Sequence, residues 1–283
     1  ESPTYNIYIG WLNINKSKVY TISRKENGID MELLENIFKN GDIKFFYTIP
    51  RLHNPLGTSY DEETKKNIVD LANKYDVYIL EDDYLNDLNE TNNKPIKYYD
   101  TEDRVIYLKS FSKILLPGIR VASTYLPDSL KDNFREFKTF SELQSNIIFQ
   151  SALNDYILSG AYDTYINSLK NHYGSKMKIY NDYLKNNNID LDYTSPINGL
   201  FAYVNLPKEL NIDNIINTLR ANNIIVRNSK FFYYNKEDCI KSIRLSFAKI
   251  NPETMEKGIS TLFTILKDSV SNNHCNMPKL LEI

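Results

Sequence analysis

A lysine set among small hydroxyls, Ser110-Phe111-Ser112-Lys113, stands where the apolar stretch Val105 to Leu108 gives way to Pro117-Gly118-Ile119-Arg120. A neutral amine held in a cationic, partly desolvated site attacks carbonyls and then moves protons. Hydroxyls beside a guanidinium form a cup for an anion such as phosphate. Upstream, Glu81-Asp82-Asp83-Tyr84 closes a second apolar stretch, Val77 to Leu80, and Asn54-Pro55-Leu56-Gly57 follows a third, Ile43 to Ile49. Taken singly, a loop lysine is usually a solvated charge, an acidic pair after a strand a cap, and Asn-Pro a turn. Together they place an amine, a carboxylate, a phenol, a carboxamide and an anion cup each at the end of an apolar run.

Such an array needs a scaffold that gathers strand ends. Ser59 with Glu62 reads as a capping box, and Ile68, Leu71, Ala72 and Tyr75 share one helical face, so a helix is expected over about 60–75. Strands alternating with amphipathic helices predict an α/β fold with a mainly parallel sheet, whose ligands bind beyond the carboxyl ends of the strands. From about 128 to 190 the chain reads as helical, through Phe134, Phe137, Leu143, Ile147, Leu153, Ile157, Leu169 and Tyr180. After Pro196-Ile197-Asn198-Gly199 come a strand over Leu200 to Leu206, a helix near 211–222 and strands near 224–228 and 242–248. Asn251-Pro252 then opens a last helix whose buried face is Met255, Ile259, Leu262, Phe263 and Leu266. The expected division is a large domain over 1–140, a helical bridge over 141–190 and a smaller α+β domain over 191–270. A tail over 271–283 follows, in a region with little periodicity from Ser269 onward.

Composition narrows the classes. With 13% aromatics and 25% charged residues the 283-residue chain is neither disordered in type nor a membrane protein of apolar spans. Lys and Arg number 34 against 36 Asp and Glu, and the net charge of −2 lacks the cation excess that a phosphate backbone demands. Cys239 and Cys275 are too few for a disulfide framework or a metal cluster and read as bystanders in a reducing compartment; no metal site is expected. The opening Glu1-Ser2-Pro3-Thr4-Tyr5 carries no signal-peptide pattern, and none of the 9 glycines forms a dinucleotide or Walker loop.

In their order these motifs resemble the fold-type I, class I and II pyridoxal-phosphate aminotransferases over nearly the whole chain. The carriers are Tyr47-Thr48-Ile49-Pro50 before Asn54-Pro55-Leu56-Gly57, then Glu81-Asp82-Asp83-Tyr84, Ser110-Phe111-Ser112-Lys113 with Arg120, and Arg244-Leu245-Ser246-Phe247. The uninterrupted Glu-Asp-Asp-Tyr and the opening Glu1 to Tyr5 look most like MocR-type regulators, which join a GntR-type winged helix-turn-helix to an aminotransferase-like domain. The resemblance implies pyridoxal 5′-phosphate as cofactor, with Lys113 as its Schiff-base lysine and Asp82 as partner of the pyridine nitrogen. Tyr84 and Asn54 would bond the phenolic oxygen, Ser110, Ser112 and Arg120 the phosphate, and Arg244, with Tyr5 near it, the carboxylate of an amino acid. Asp83 is then a structural neighbour, His53 stands where a glutamine is frequent, and Arg227 has only its strand-end position to recommend it.

The same resemblance implies a phosphate loop, a ring-stacking aromatic and much of a dimer surface upstream of Glu1, so the sequence reads as N-terminally truncated. The preferred reading is the cytoplasmic effector domain of a MocR-type regulator, a homodimer that senses an amine or amino acid and reaches DNA only through a missing winged helix. A working aminotransferase and a cofactor-free interaction module are the alternatives.

Overall fold

The computed structural model describes residues 1–275 except 27, 90–91 and 143–145, so Leu143 of the helical stretch and 276–283 of the expected tail lie outside the described residues. The chain opens with helix α1 (Asn6–Ile14), an antiparallel pair β1 (Arg24–Lys25) and β2 (Gly28–Ile29), and helix α2 (Met31–Asn40). The sequence reading did not anticipate these four elements. Asp30 caps α2 by accepting from the Leu33 N–H at 2.9 Å, and Leu34 and Phe38 bury its apolar face.

Strand β3 (Phe45–Thr48), helix α3 (Glu62–Tyr75), strands β4 (Tyr78–Asp82), β5 (Val105–Ser110) and β6 (Ala122–Tyr125) follow. In the sheet β3, β4 and β5 run parallel in that order, and β6 adds antiparallel to β5. Thr48 pairs with Glu81 and Asp82 with Leu108, so the three motif-bearing loops leave one common edge of the sheet. Helix α3 covers one face as expected, with Ile68, Val69 and Ala72 buried against Phe46, Val77, Ile79 and Val105. Fully burying a side chain of that kind contributes about 1.5–3 kcal/mol. The cap differs from the expectation: Asp61 accepts from the Thr64 N–H at 2.7 Å, whereas the Ser59 hydroxyl accepts from the Leu52 N–H at 3.0 Å. An aspartate at N-cap places its carboxylate at the positive end of the helix, and Ser59 lies too far upstream to reach it.

Helices α4 (Asp128–Glu142), α5 (Ile147–Leu158) and α6 (Ala161–Asn186) lead to β7 (Phe201–Asn205), α7 (Ile212–Ala221), β8 (Arg227–Asn228), β9 (Ser242–Ser246) and α8 (Pro252–Cys275). The last three strands form an antiparallel sheet with β9 in the centre. Met177, Tyr180 and Leu184 of α6 meet the predicted face of α8, Met255, Ile259, Leu262, Phe263 and Leu266, over Ala202, Val204 and Ile243. Helix α8 runs on to Cys275, into the stretch of little periodicity that begins at Ser269 and the first residues of the expected tail over 271–283: the Ser269 hydroxyl back-bonds to the Ile265 carbonyl at 2.7 Å and Val270 packs against the core. No described helix is long and apolar enough to cross a membrane.

A further apolar cluster ties the parallel sheet's loops to the rest of the chain. It joins Tyr47, Leu52, Tyr84 and Phe111 with Tyr162 and Ile166 of α6 and Phe201 of β7. Gly57 shows how closely these parts meet. Its φ of +77° is left-handed, and a Cβ there would collide with the Phe201 carbonyl oxygen, so glycine is required on both counts.

Candidate active site

Asp82 ends β4 with its carboxylate turned toward β3, where the Tyr47 hydroxyl donates to Oδ2 at 2.8 Å. Among the described residues no cation lies within ion-pair distance. Burial therefore pushes its carboxyl up to about 6, with the Tyr47 bond pulling it down and the Asp83 charge pushing it further up. Its two acidic neighbours are otherwise engaged. Glu81 accepts from the Ile96 and Lys97 N–H groups at 2.8 Å each, and burial raises it to about 8. Asp83 accepts from Arg51, from the Tyr107 hydroxyl at 2.8 Å and from Asn86 at 3.1 Å.

Arg244 lies in the middle of β9, with its guanidinium 4.3 Å from the Phe201 ring centre and 4.9 Å from that of Phe232. Nη1 donates to Asn54 Oδ1 at 2.9 Å across 190 residues of chain, and the buried Nε has no partner among the described residues. Burial lowers this guanidinium to about 10. Arg227, its register partner on β8, adds like charge and lays its own guanidinium over Phe231 at 4.7 Å. Asn54 keeps its amide as a donor. The Tyr84 hydroxyl donates to the Leu52 carbonyl at 2.9 Å, which leaves its oxygen free to accept. Tyr5, just before α1, is half-buried, and the charges of Asp82, Arg120 and Arg244 all act on its hydroxyl, which burial raises above its ordinary value.

At the end of β5 the Ser110 hydroxyl accepts from the Ser112 N–H at 3.3 Å, and Arg120 donates to the Ser112 hydroxyl at 3.3 Å. Arg120 takes a left-handed φ of 49°, which turns the chain back into β6. Lys113 sits in the turn between them, exposed, with no hydrogen bond or ion pair among the described residues. Lys109, the neighbouring lysine, is pinned: Asp87 holds it at 2.7 Å and also accepts from the Tyr162 hydroxyl at 2.9 Å.

The structure thus brings Asp82, Tyr84, Asn54, Arg244 and Tyr5 into one cluster, and Ser110, Ser112 and Arg120 into another beside Lys113. Sequence reasoning missed Tyr47. Its hydroxyl is the side-chain proton that Asp82 accepts, yet in an apolar run a tyrosine reads as one more core aromatic.

His53 is not open to a substrate. It is fully buried, 3.2 Å from Glu1 Oε2, and its Nδ1 accepts from the Leu56 N–H at 3.4 Å, which makes it an internal brace of the Asn54 turn. The same Glu1 carboxylate pairs with Arg24 at 2.8 Å and accepts from Thr48 and Tyr60 at 2.5 Å. Burial, then the Arg24 charge, lowers His53 from 6.5 to about 4. Between these values the unfolded chain binds a proton that the folded chain does not, so His53 subtracts stability as pH falls through 6.5 toward 4. His53→Gln removes that slope, up to about 1.4 kcal/mol per pH unit. Denaturant unfolding at several pH values is the check, and an unchanged slope would show that the imidazole is already protonated in the fold.

The family model for class I and II aminotransferases matches residues 1–262. The chain belongs to that family. A solved aminotransferase, the kynurenine aminotransferase of Pyrococcus horikoshii in complex with PMP, superposes with a TM-score of 0.87 at 26% identity, over 94% of this chain and 68% of that one. Two similar sequences are of another kind. An uncharacterized HTH-type transcriptional regulator of Bacillus subtilis, YcxD, is 32% identical over 94% of this chain and 61% of its own length. The HTH-type transcriptional regulator NorG of Staphylococcus aureus is 29% identical over 81% of this chain and 51% of its own length. The aminotransferase fold expected from the motifs is therefore present, and the chain spans little more than half the length of these two regulators.

Proposed function

We propose that the chain is the pyridoxal 5′-phosphate-binding, aminotransferase-like effector domain of a MocR-type regulator of the GntR class, and that it senses an amine or amino acid. The observation that carries this reading is a pair of half-buried opposite charges without ionic partners among the described residues, the Asp82 carboxylate and the Arg244 guanidinium, together with an unengaged lysine and an anion cup. Charges withdrawn from water and left unpaired are costly, and such groups cluster where a ligand pairs with them. Pyridoxal phosphate supplies an aldehyde that captures amines and a protonated ring that draws electrons from the captured carbon.

Asp82 would hold the ring nitrogen, Asn54 and Tyr84 the phenolic oxygen, Ser110, Ser112 and Arg120 the phosphate, and Lys113 the aldehyde end. Arg244 grips the carboxylate of the sensed amino acid, with Tyr5 beside it. A net charge of −2 is unsuited to duplex DNA, so DNA contact belongs to a separate winged-helix segment. Phe137 and Phe140 on α4, 72% and 84% exposed, give this face the apolar character of a homodimer contact in a cytoplasmic protein.

A sensor gains from an amino-acid complex that persists and shifts a conformational equilibrium, and it gains nothing from fast product release. In the complete protein, loaded with cofactor, ligand is expected to change DNA affinity by about 5- to 150-fold while turnover stays slow. The second reading, a working aminotransferase, draws on the likeness to the Pyrococcus enzyme. Steady transamination at about 1 per second or faster, with DNA affinity indifferent to amino acids, would establish it instead.

A further inference from the structure

We infer that Tyr47 is a positioning residue for Asp82 and, through it, for the ring nitrogen of the cofactor; the inference rests on the cofactor-binding reading above. Tyr47 lies on β3 opposite Leu80, and its ring reaches along the neighbouring strand to the carboxylate that ends β4. The hydroxyl donates at 2.8 Å to Oδ2, which leaves Oδ1 as the oxygen offered to a ligand.

The phenol is held in place. Its ring is buried, and Tyr8 of α1 stacks on it at 3.9 Å between centres and 24° between planes. Burial and the adjacent Asp82 charge keep the Tyr47 hydroxyl protonated, so it remains a donor. The titratable groups that act on Asp82 are Tyr47 from β3, Tyr5 from the segment before α1, and Asp83 and Tyr84 from its own loop. None of these is a cation. In such surroundings a donated hydrogen bond favours the ionised carboxyl, and an ionised carboxyl is what keeps a pyridine nitrogen protonated. Without the Tyr47 hydroxyl, Asp82 takes up its proton at higher pH and the ring loses its counter-charge.

The test uses the complete protein and pyridoxal 5′-phosphate, with affinity measured by equilibrium dialysis from pH 5 to 8. Tyr47→Phe keeps the stacked ring and deletes the hydroxyl. Loss of a hydrogen bond to a charged group predicts cofactor affinity weakened roughly tenfold or more, with the acid limb of the affinity profile displaced to higher pH. In an Asp82→Asn background the same substitution should add no further loss, because Tyr47 acts through the carboxylate. Far-ultraviolet circular dichroism and thermal unfolding establish that each variant is folded. Wild-type affinity and an unmoved acid limb in Tyr47→Phe would overturn the inference alone. So would an equal loss in both backgrounds, the mark of a packing role. Failure of the wild-type protein to take up cofactor would remove the functional reading and the inference with it.

Discussion

Borohydride reduction of the complete, cofactor-loaded protein, followed by peptide mapping, is expected to place the pyridoxyl group on Lys113, and Lys113→Ala to abolish that label. The expectation follows from which lysine is free. Lys109 is only one side of a hydroxyl removed from the cup, yet Asp87 holds it at 2.7 Å. Moving it to a cofactor would break that ion pair and leave Asp87, among the described residues, with the Tyr162 hydroxyl alone. Lys113 surrenders no such contact, and the Ser110, Ser112 and Arg120 cup flanks it. Where the complete protein turns over at all, Lys113→Ala should slow it by about 10² to 10⁴, the usual worth of a positioned proton carrier. A label found mainly on Lys109, or unchanged labelling of Lys113→Ala, would refute the assignment.

The part of the site that was legible in the sequence is the part written locally. Each of β3, β4 and β5 is a short apolar run closed by a polar cluster, and a parallel sheet brings such closures to one edge. That logic brought out Asn54, Asp82, Tyr84 and Lys113 as candidates. It did not extend to β6, whose four residues are largely exposed and so carry no alternation of apolar and polar side chains. Helix α1 was hidden for a related reason: Ile7, Trp11 and Ile14 face outward, and no side chain caps its start. Contacts between distant parts were invisible in principle. Nothing near Arg244 says that Asn54 will accept from it, or that the carbonyl of Phe201 will exclude a side chain at position 57.

These distant contacts also explain how the charges at the site are kept apart. Asp82 belongs to the mainly parallel sheet and Arg244 to the antiparallel one, each half-buried in its own surroundings and neither neutralising the other by a direct ion pair. A direct pair would satisfy both and leave nothing for a ligand. On one side the Asn54 side-chain oxygen accepts from Arg244 Nη1, a neutral partner that does not cancel the charge. Tyr47 acts in the same manner on the other, giving Asp82 a neutral donor in place of a cation.

Arg244→Ala in the complete protein should therefore leave cofactor binding close to wild type and weaken amino-acid binding by about ten- to a hundredfold, the 1.5–3 kcal/mol of a charge-assisted bond. Arg244→Lys keeps the charge but not the two-pronged fork, so its affinity should fall between the two. The clearest measurement is a titration of several L-amino acids, each beside the amine that remains when its carboxylate is removed. If the guanidinium grips a carboxylate, the substitution weakens every acid and spares every amine. Equal losses for both would mean that Arg244 serves the fold, through Asn54 and the rings of Phe201 and Phe232. No loss for either would place the carboxylate site elsewhere, with the neighbouring Arg227, whose guanidinium lies over Phe231, the next residue to replace.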